Sequence, residues 1–189
     1  MEIMRLIVTG AVDSGKSSLI RSVSEIQVAD LKHQATTRTS SPNETTATAL
    51  DYGRVNIGSD MAMHLYGTPG QAKFSYIWEL LISRAHACLV VVAANRPGDF
   101  HYARLLLSLM EARMHIPMII GLTHTDCPTA WSKEDVTIAL GYAHQEKRPT
   151  MVTVNPTEKT SVLQVLKIFV EQYSSKESSA FRREKAIAA

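Results

Sequence analysis

Residues 10–17 read Gly10-Ala-Val-Asp-Ser-Gly15-Lys16-Ser17, the spacing G-x-x-x-x-G-K-S. Each position offers something to a phosphate. The glycines let the backbone wrap a tetrahedral anion so that successive N–H groups converge on it. Lys16 brings a point charge to the β- and γ-phosphates, and the Ser17 hydroxyl is a ligand for Mg²⁺. A helix opening at Lys16 adds the positive end of its dipole. Gly10, Asp13, Ser14, Gly15, Lys16, Ser17 and Ser18 are therefore the candidate phosphate contacts, with Ser17 also a metal ligand. A phosphate loop of this kind does not by itself separate adenine from guanine, or a switch from a kinase.

The loop lies where its mechanism requires, between a strand and a helix. Ile3 to Thr9 is a short apolar run that ends in glycine, and Leu19, Ile20, Val23 and Ile26 fall on one helical face. Thr48–Val55 and Met61–Tyr66 read as a hairpin joined by the turn cluster Gly58-Ser59-Asp60. Phe74, Ile77, Trp78 and Leu81 recur at helical spacing. Ala87–Ala93 and Pro117–Leu122 are unbroken apolar runs, expected of parallel strands covered on both faces. Asp99–Met114 is helical. Ser132 with Asp135 forms a capping pattern before the next helix. Met151–Val154 is the last strand, and Val162, Leu166, Phe169 and Tyr173 mark the last helix. Such alternation predicts an α/β fold with right-handed crossovers: a P-loop NTPase with a mostly parallel six-stranded sheet, one antiparallel edge strand, and helices on both faces.

Leu65-Tyr66-Gly67-Thr68-Pro69-Gly70-Gln71, followed by Phe74 and Trp78, resembles the second switch of bacterial small Ras-like GTPases related to the gliding-motility GTPase MglA, in particular those encoded beside roadblock-domain proteins. Leu50-Asp51-Tyr52-Gly53-Arg54 is the other specific part of a resemblance that spans about Ile3 to Tyr173. It implies a GTP/GDP switch with Mg²⁺ and slow intrinsic hydrolysis. Gly70 would offer its N–H to the γ-phosphate, and Gln71 would orient the attacking water, with Lys16 stabilising charge. Gly67 stands where most GTPases carry an aspartate, a loss typical of this bacterial branch. Thr123-His124-Thr125-Asp126 resembles the guanine-reading box, with Thr123 and His124 in place of the usual asparagine and lysine. The Asp126 carboxylate can accept from guanine N1–H and N2–H₂ together, which adenine cannot reciprocate. Asn155 and Pro156 fall where the last base-contacting loop belongs. Four residues before Asp51, where the family usually has a threonine, stands Ala47, so Thr46 or Thr48 would have to reach the metal; Thr46 is the candidate. The implied partner is a roadblock-domain, MglB-like protein acting as activator or adaptor. The rival readings are a nucleotide-binding interaction module that hydrolyses little and a P-loop small-molecule kinase, against which stand Asp126 and the lack of an arginine-rich lid segment.

Composition narrows the classes further. The chain has 189 residues, 20 Lys plus Arg and 18 Asp plus Glu, a formal charge of +2. That balance argues against a nucleic-acid binder. Residues 174–189 hold Lys176, Arg182, Arg183 and Lys185 against Glu177 and Glu184, so the whole excess lies there. The expected division is a GTPase domain over 1–173 and a polar, weakly basic tail over 174–189, read as loose or as a frayed helix. Two cysteines, Cys88 and Cys127, cannot make a disulfide framework, and no histidine or cysteine spacing suits zinc. Without a signal-peptide pattern, a spanning apolar run, a terminal prenylation cysteine or an N-terminal myristoylation glycine, the sequence reads as cytoplasmic with no stable membrane anchor.

Overall fold

The structure is a computed structural model; it describes residues 2–33, 48–69, 81–113, 116–143, 145 and 148–187. Strand β1 (Glu2–Gly10) leads through the phosphate loop into helix α1 (Lys16–Val23). Strands β2 (Ala29–His33), β3 (Thr48–Ile57), β4 (Met61–Gly67) and β5 (Ala87–Ala93) follow. Helix α2 (Phe100–Arg113), strand β6 (Met118–Thr123), helix α3 (Lys133–Ala139), strand β7 (Thr150–Thr153) and helix α4 (Lys159–Ile187) complete the chain. The sheet runs β2-β3-β4-β1-β5-β6-β7. Pairs β1–β4, β1–β5, β5–β6 and β6–β7 are parallel, while β2–β3 and β3–β4 are antiparallel. This is the Ras-like P-loop architecture the sequence predicts. All six expected strands are present, and Ala29–His33 adds a seventh at the hairpin edge.

Two apolar layers clamp the sheet. Leu6, Val8, Leu89 and Val91 point to the side covered by α1 and α4, where Leu19, Ile20, Val23, Leu166 and Phe169 meet them. Ile7, Cys88, Val90 and Val92 point to the side covered by α2 and α3, against Phe100, Leu106, Leu107 and Val136. Every residue of β5 is buried, which is why its sequence shows no polar alternation. Burial of the Cys88 thiol in this layer pushes its pKa up to about 12.

Of the local expectations, one changes and one holds. Ile26 does not share the α1 face: the helix ends at Val23, and Ile26 is exposed. Ser24 turns the chain, since its hydroxyl donates to the Ile26 carbonyl (2.8 Å) and accepts from the Arg54 N–H (3.3 Å), tying the helix end to β3. Ser132 does cap α3, accepting from the Asp135 N–H at 3.1 Å. Helix α4 runs past Tyr173 to Ile187. Among the described residues no helix is long and apolar enough to cross a membrane.

Candidate functional site

The loops that carry the candidate residues leave the carboxyl ends of parallel neighbours: β1, β4, β5, β6 and β7. In open α/β sheets that edge forms the ligand crevice. Right-handed crossovers bring the phosphate loop, the 123–126 segment and the 155–156 segment together there.

The phosphate loop is held from several directions. Gly10 has φ 151°, and a Cβ on it would collide with the Val91 carbonyl of β5. Gly10→Ala should therefore cost about 3 kcal/mol or more, read as a lowered urea midpoint with unchanged slope. Gly15 has φ 100° and caps α1 at its N-terminus. A Cβ there would sit 3.0 Å from Pro156 Cγ, so Pro156 packs directly under the loop. Thr123 is fully buried and donates its hydroxyl to the Ser14 carbonyl at 2.8 Å. In this structure its side chain ties the loop in place. The Ser14 hydroxyl is buried with no hydrogen-bond partner, an orphan polar atom of the kind a bound anion or water satisfies.

Lys16 is 7% exposed. Its Nζ donates to the Ala11 carbonyl at 2.5 Å, folding the side chain over the loop. Desolvation lowers its pKa, opposed by the charges of Asp51 and Asp13. An anion in the loop would supply the counter-charge that burial removes. Ser18 lies exposed in the first turn of α1.

The Ser17 hydroxyl donates to Asp51 Oδ2 at 2.5 Å. This carboxylate was not among the sequence's candidate site residues. The hairpin explains its position. Ile57 pairs with Met61, and the antiparallel register then sets Asp51 opposite Gly67. A Cβ on Gly67 would come within 2.6 Å of Ile20 Cδ1 and 3.0 Å of Asp51 Cβ. The space beside Ser17, where most GTPases place an aspartate from β4, is thus filled by an aspartate from β3. The signal was present in the sequence: the turn at Gly58-Ser59-Asp60 sets that register.

At the far end of the crevice His124 has φ 56°, a left-handed conformation in which histidine is several-fold enriched. Its Nδ1 lies 3.0 Å from Thr123 Oγ1. Asp126 is exposed on the following turn. The Asn155 side-chain oxygen is occupied, accepting from Thr157 N–H (3.1 Å) and Thr157 hydroxyl (2.8 Å). Its backbone is engaged as well, the N–H donating to Ser161 Oγ at 2.9 Å and the carbonyl accepting from the Glu158 N–H at 3.2 Å. Just past β4, Thr68 is buried and donates to Thr9 Oγ1 at 2.9 Å. Thr46, Ala47, Gly70 and Gln71 lie outside the described residues, as do Phe74, Ile77 and Trp78.

Among the described residues no cluster of three His, Cys, Asp or Glu side chains is positioned to hold a metal. The Ser17–Asp51 pair nevertheless suits Mg²⁺, a hard cation that keeps several waters and takes one or two protein oxygens beside substrate phosphates.

Fold and loop together define a P-loop nucleotide-binding protein of Ras-like architecture. The sequence profile of a family described as "conserved hypothetical ATP binding protein" matches residues 26–186, and the chain belongs to that family. It is similar to uncharacterized protein MJ1339 of Methanocaldococcus jannaschii, 28% identical over 123 residues, which are 65% of this chain and 71% of that protein. Among solved structures it is similar to the Arl6 BBS3 small GTPase of Trypanosoma brucei with bound nucleotide analogue GppNp. That likeness has a TM-score of 0.68 at 16% identity, covering 92% of this chain and 98% of the other, and is one of fold.

Proposed function

We propose that this protein is a GTP/GDP molecular switch of the small GTPase type with slow intrinsic hydrolysis, related to the MglA branch. The observation that carries the reading is the tether from Thr123 to the Ser14 carbonyl, which locks the Asp126 turn to the phosphate loop. A base reaching Asp126 would then have its phosphates over Gly15 and Lys16. An exposed carboxylate there selects guanine because it accepts two donors and offers none. Lys16 would neutralise phosphate charge, and Gln71 would orient water. Ser17 would ligate Mg²⁺, Asp51 would hold one of its waters, and Thr46 would approach from the first switch. When bound, Mg²⁺ neutralises charge on the β- and γ-phosphate oxygens. Slow turnover is in keeping with Arg96, the arginine beside the loop among the described residues, which is engaged by Asp13 and Asp99 (3.2 and 3.0 Å) rather than held free for the transferring group. A roadblock-domain protein is the partner this reading puts on the switches, whose order would change with the γ-phosphate.

The family's description speaks of ATP, so adenine is the competing base. Parallel titrations with fluorescent GDP and ADP decide between them. GDP should bind at least tenfold tighter; tighter ADP binding overturns the guanine reading. Asp126→Asn should weaken GDP about thirtyfold, the scale of a lost bidentate base contact. The same variant should gain affinity for xanthosine diphosphate, whose N1–H and 2-oxo group match the acceptor and donor of an asparagine amide.

A further inference from the structure

Only two non-glycine residues among those described have positive φ, Asp13 (57°) and His124 (56°), and both lie in the nucleotide crevice. A left-handed residue in a functional loop is held by its surroundings. For Asp13 the holding group is visible. Arg96 lies just beyond β5, in the turn before α2, and reaches across to the phosphate loop. Its Nη1 donates to Asp13 Oδ2 at 3.2 Å and to the Val12 carbonyl at 3.4 Å. Its Nε faces Asp99 Oδ2 at 3.0 Å. Asp99 closes the 3₁₀ turn Pro97–Asp99, so the guanidinium is anchored at its own end as well.

The directions of these contacts matter. A loop that turns its N–H groups inward to a phosphate turns carbonyls outward. Arg96 takes one such outward carbonyl and the adjacent side chain with one nitrogen. A second fact concerns charge. Asp13 puts a carboxylate, 76% exposed, on the rim of a loop built for a polyanion. Unopposed, it would repel a polyanion bound in the loop it belongs to, since like charges near a protein surface repel. An exposed ion pair adds little to folding stability. Its value here is toward the ligand.

We propose that Arg96 is a positioning residue for the phosphate loop, fixing Val12 and Asp13 from outside and cancelling the Asp13 charge so that the loop accepts a nucleoside polyphosphate. This rests on the nucleotide-binding reading above. Lysine is a poor substitute, because a single ammonium cannot span Asp13, the Val12 carbonyl and Asp99 with fixed geometry.

The test is equilibrium binding of fluorescent GDP to the full chain, at low and at 0.5 M salt. Arg96→Ala should raise Kd about tenfold at low salt, and less at high salt because screening weakens the exposed Asp13 charge. Arg96→Lys should fall between the two. Adding Asp13→Asn to Arg96→Ala should restore most of the lost affinity, which a merely structural role for Arg96 would not allow. Melting temperatures of the free variants within about 3 °C of wild type would show that the fold is intact. Unchanged binding in Arg96→Ala overturns this inference alone. So does a double variant as weak as Arg96→Ala, which would mean that Arg96 does not act through Asp13. Wild-type protein that binds neither GDP nor ADP overturns the nucleotide reading and this inference with it.

Discussion

Lys16→Ala should lose nucleotide affinity by a hundredfold or more, measured by titration of fluorescent GDP. Lys16 is the one phosphate-loop residue whose side chain carries a full positive charge into the site, and it is almost wholly buried. In the free protein its Nζ has the Ala11 carbonyl as hydrogen-bond partner, a neutral acceptor that offsets only part of the desolvation. The lowered pKa is the sign of that deficit. A phosphate anion in the loop replaces weak compensation with a charge-assisted bond, roughly twice as strong as a neutral one. The same argument fixes a pH dependence. Binding favours the protonated amine, so nucleotide binding takes up protons at alkaline pH. Affinity should fall as pH rises through the depressed pKa of free Lys16, below its ordinary 10.5. Folding stability of the free protein responds with the opposite sign. The unfolded chain holds the Lys16 proton more tightly, so this residue's contribution to stability rises with pH across that window. A Lys16→Ala protein with wild-type GDP affinity would remove the phosphate loop from the mechanism altogether.

Asp51→Ala should abolish most of the Mg²⁺ dependence of GDP binding. In wild type, chelating Mg²⁺ should weaken GDP binding clearly; in the variant, affinities with and without the metal should differ far less. The reason is positional. Asp51 Oδ2 lies beside the Ser17 hydroxyl. Gly67 has no side chain to offer, and a Cβ added there would meet Ile20 and Asp51. The β4 position therefore cannot take up the role by simple replacement: Gly67→Asp alone should be destabilising, because Ile20 Cδ1 and Asp51 Cβ occupy the space. Exchanging the two residues, Asp51→Gly with Gly67→Asp, removes the second obstacle and should recover part of the metal dependence. If Asp51→Ala keeps full Mg²⁺ sensitivity, the carboxylate beside Ser17 serves only to orient the hydroxyl.

How much of this was legible beforehand depends on how far apart the partners lie in the chain. The phosphate loop is eight consecutive residues, and its backbone geometry follows from glycine at positions 10 and 15. The apolar run Ala87–Ala93 gave its strand to the residue, because a strand buried on both faces leaves no room for polar alternation. Ser132 announced its helix because a cap acts over three residues. Ile26 misled because helical periodicity counts apolar residues and does not see Ser24 ending the helix. Strand Ala29–His33 escaped because Ala-Asp-Leu-Lys-His carries a weak alternating pattern, and pairing with β3 supplies what propensity does not.

The amino-acid sequence by itself determined which groups are on offer: a phosphate-wrapping loop, one lysine to charge it, the Ser17 hydroxyl beside that lysine, and an aspartate after β6. Only the tertiary structure decided which groups complete them. Ser17 meets Asp51 across 34 residues, Asp13 meets Arg96 across 83, and Ser14 meets Thr123 across 109. Motifs are local because backbone geometry couples near neighbours. These three contacts exist only once strand order and register are fixed, and those are settled by burying both faces of one sheet.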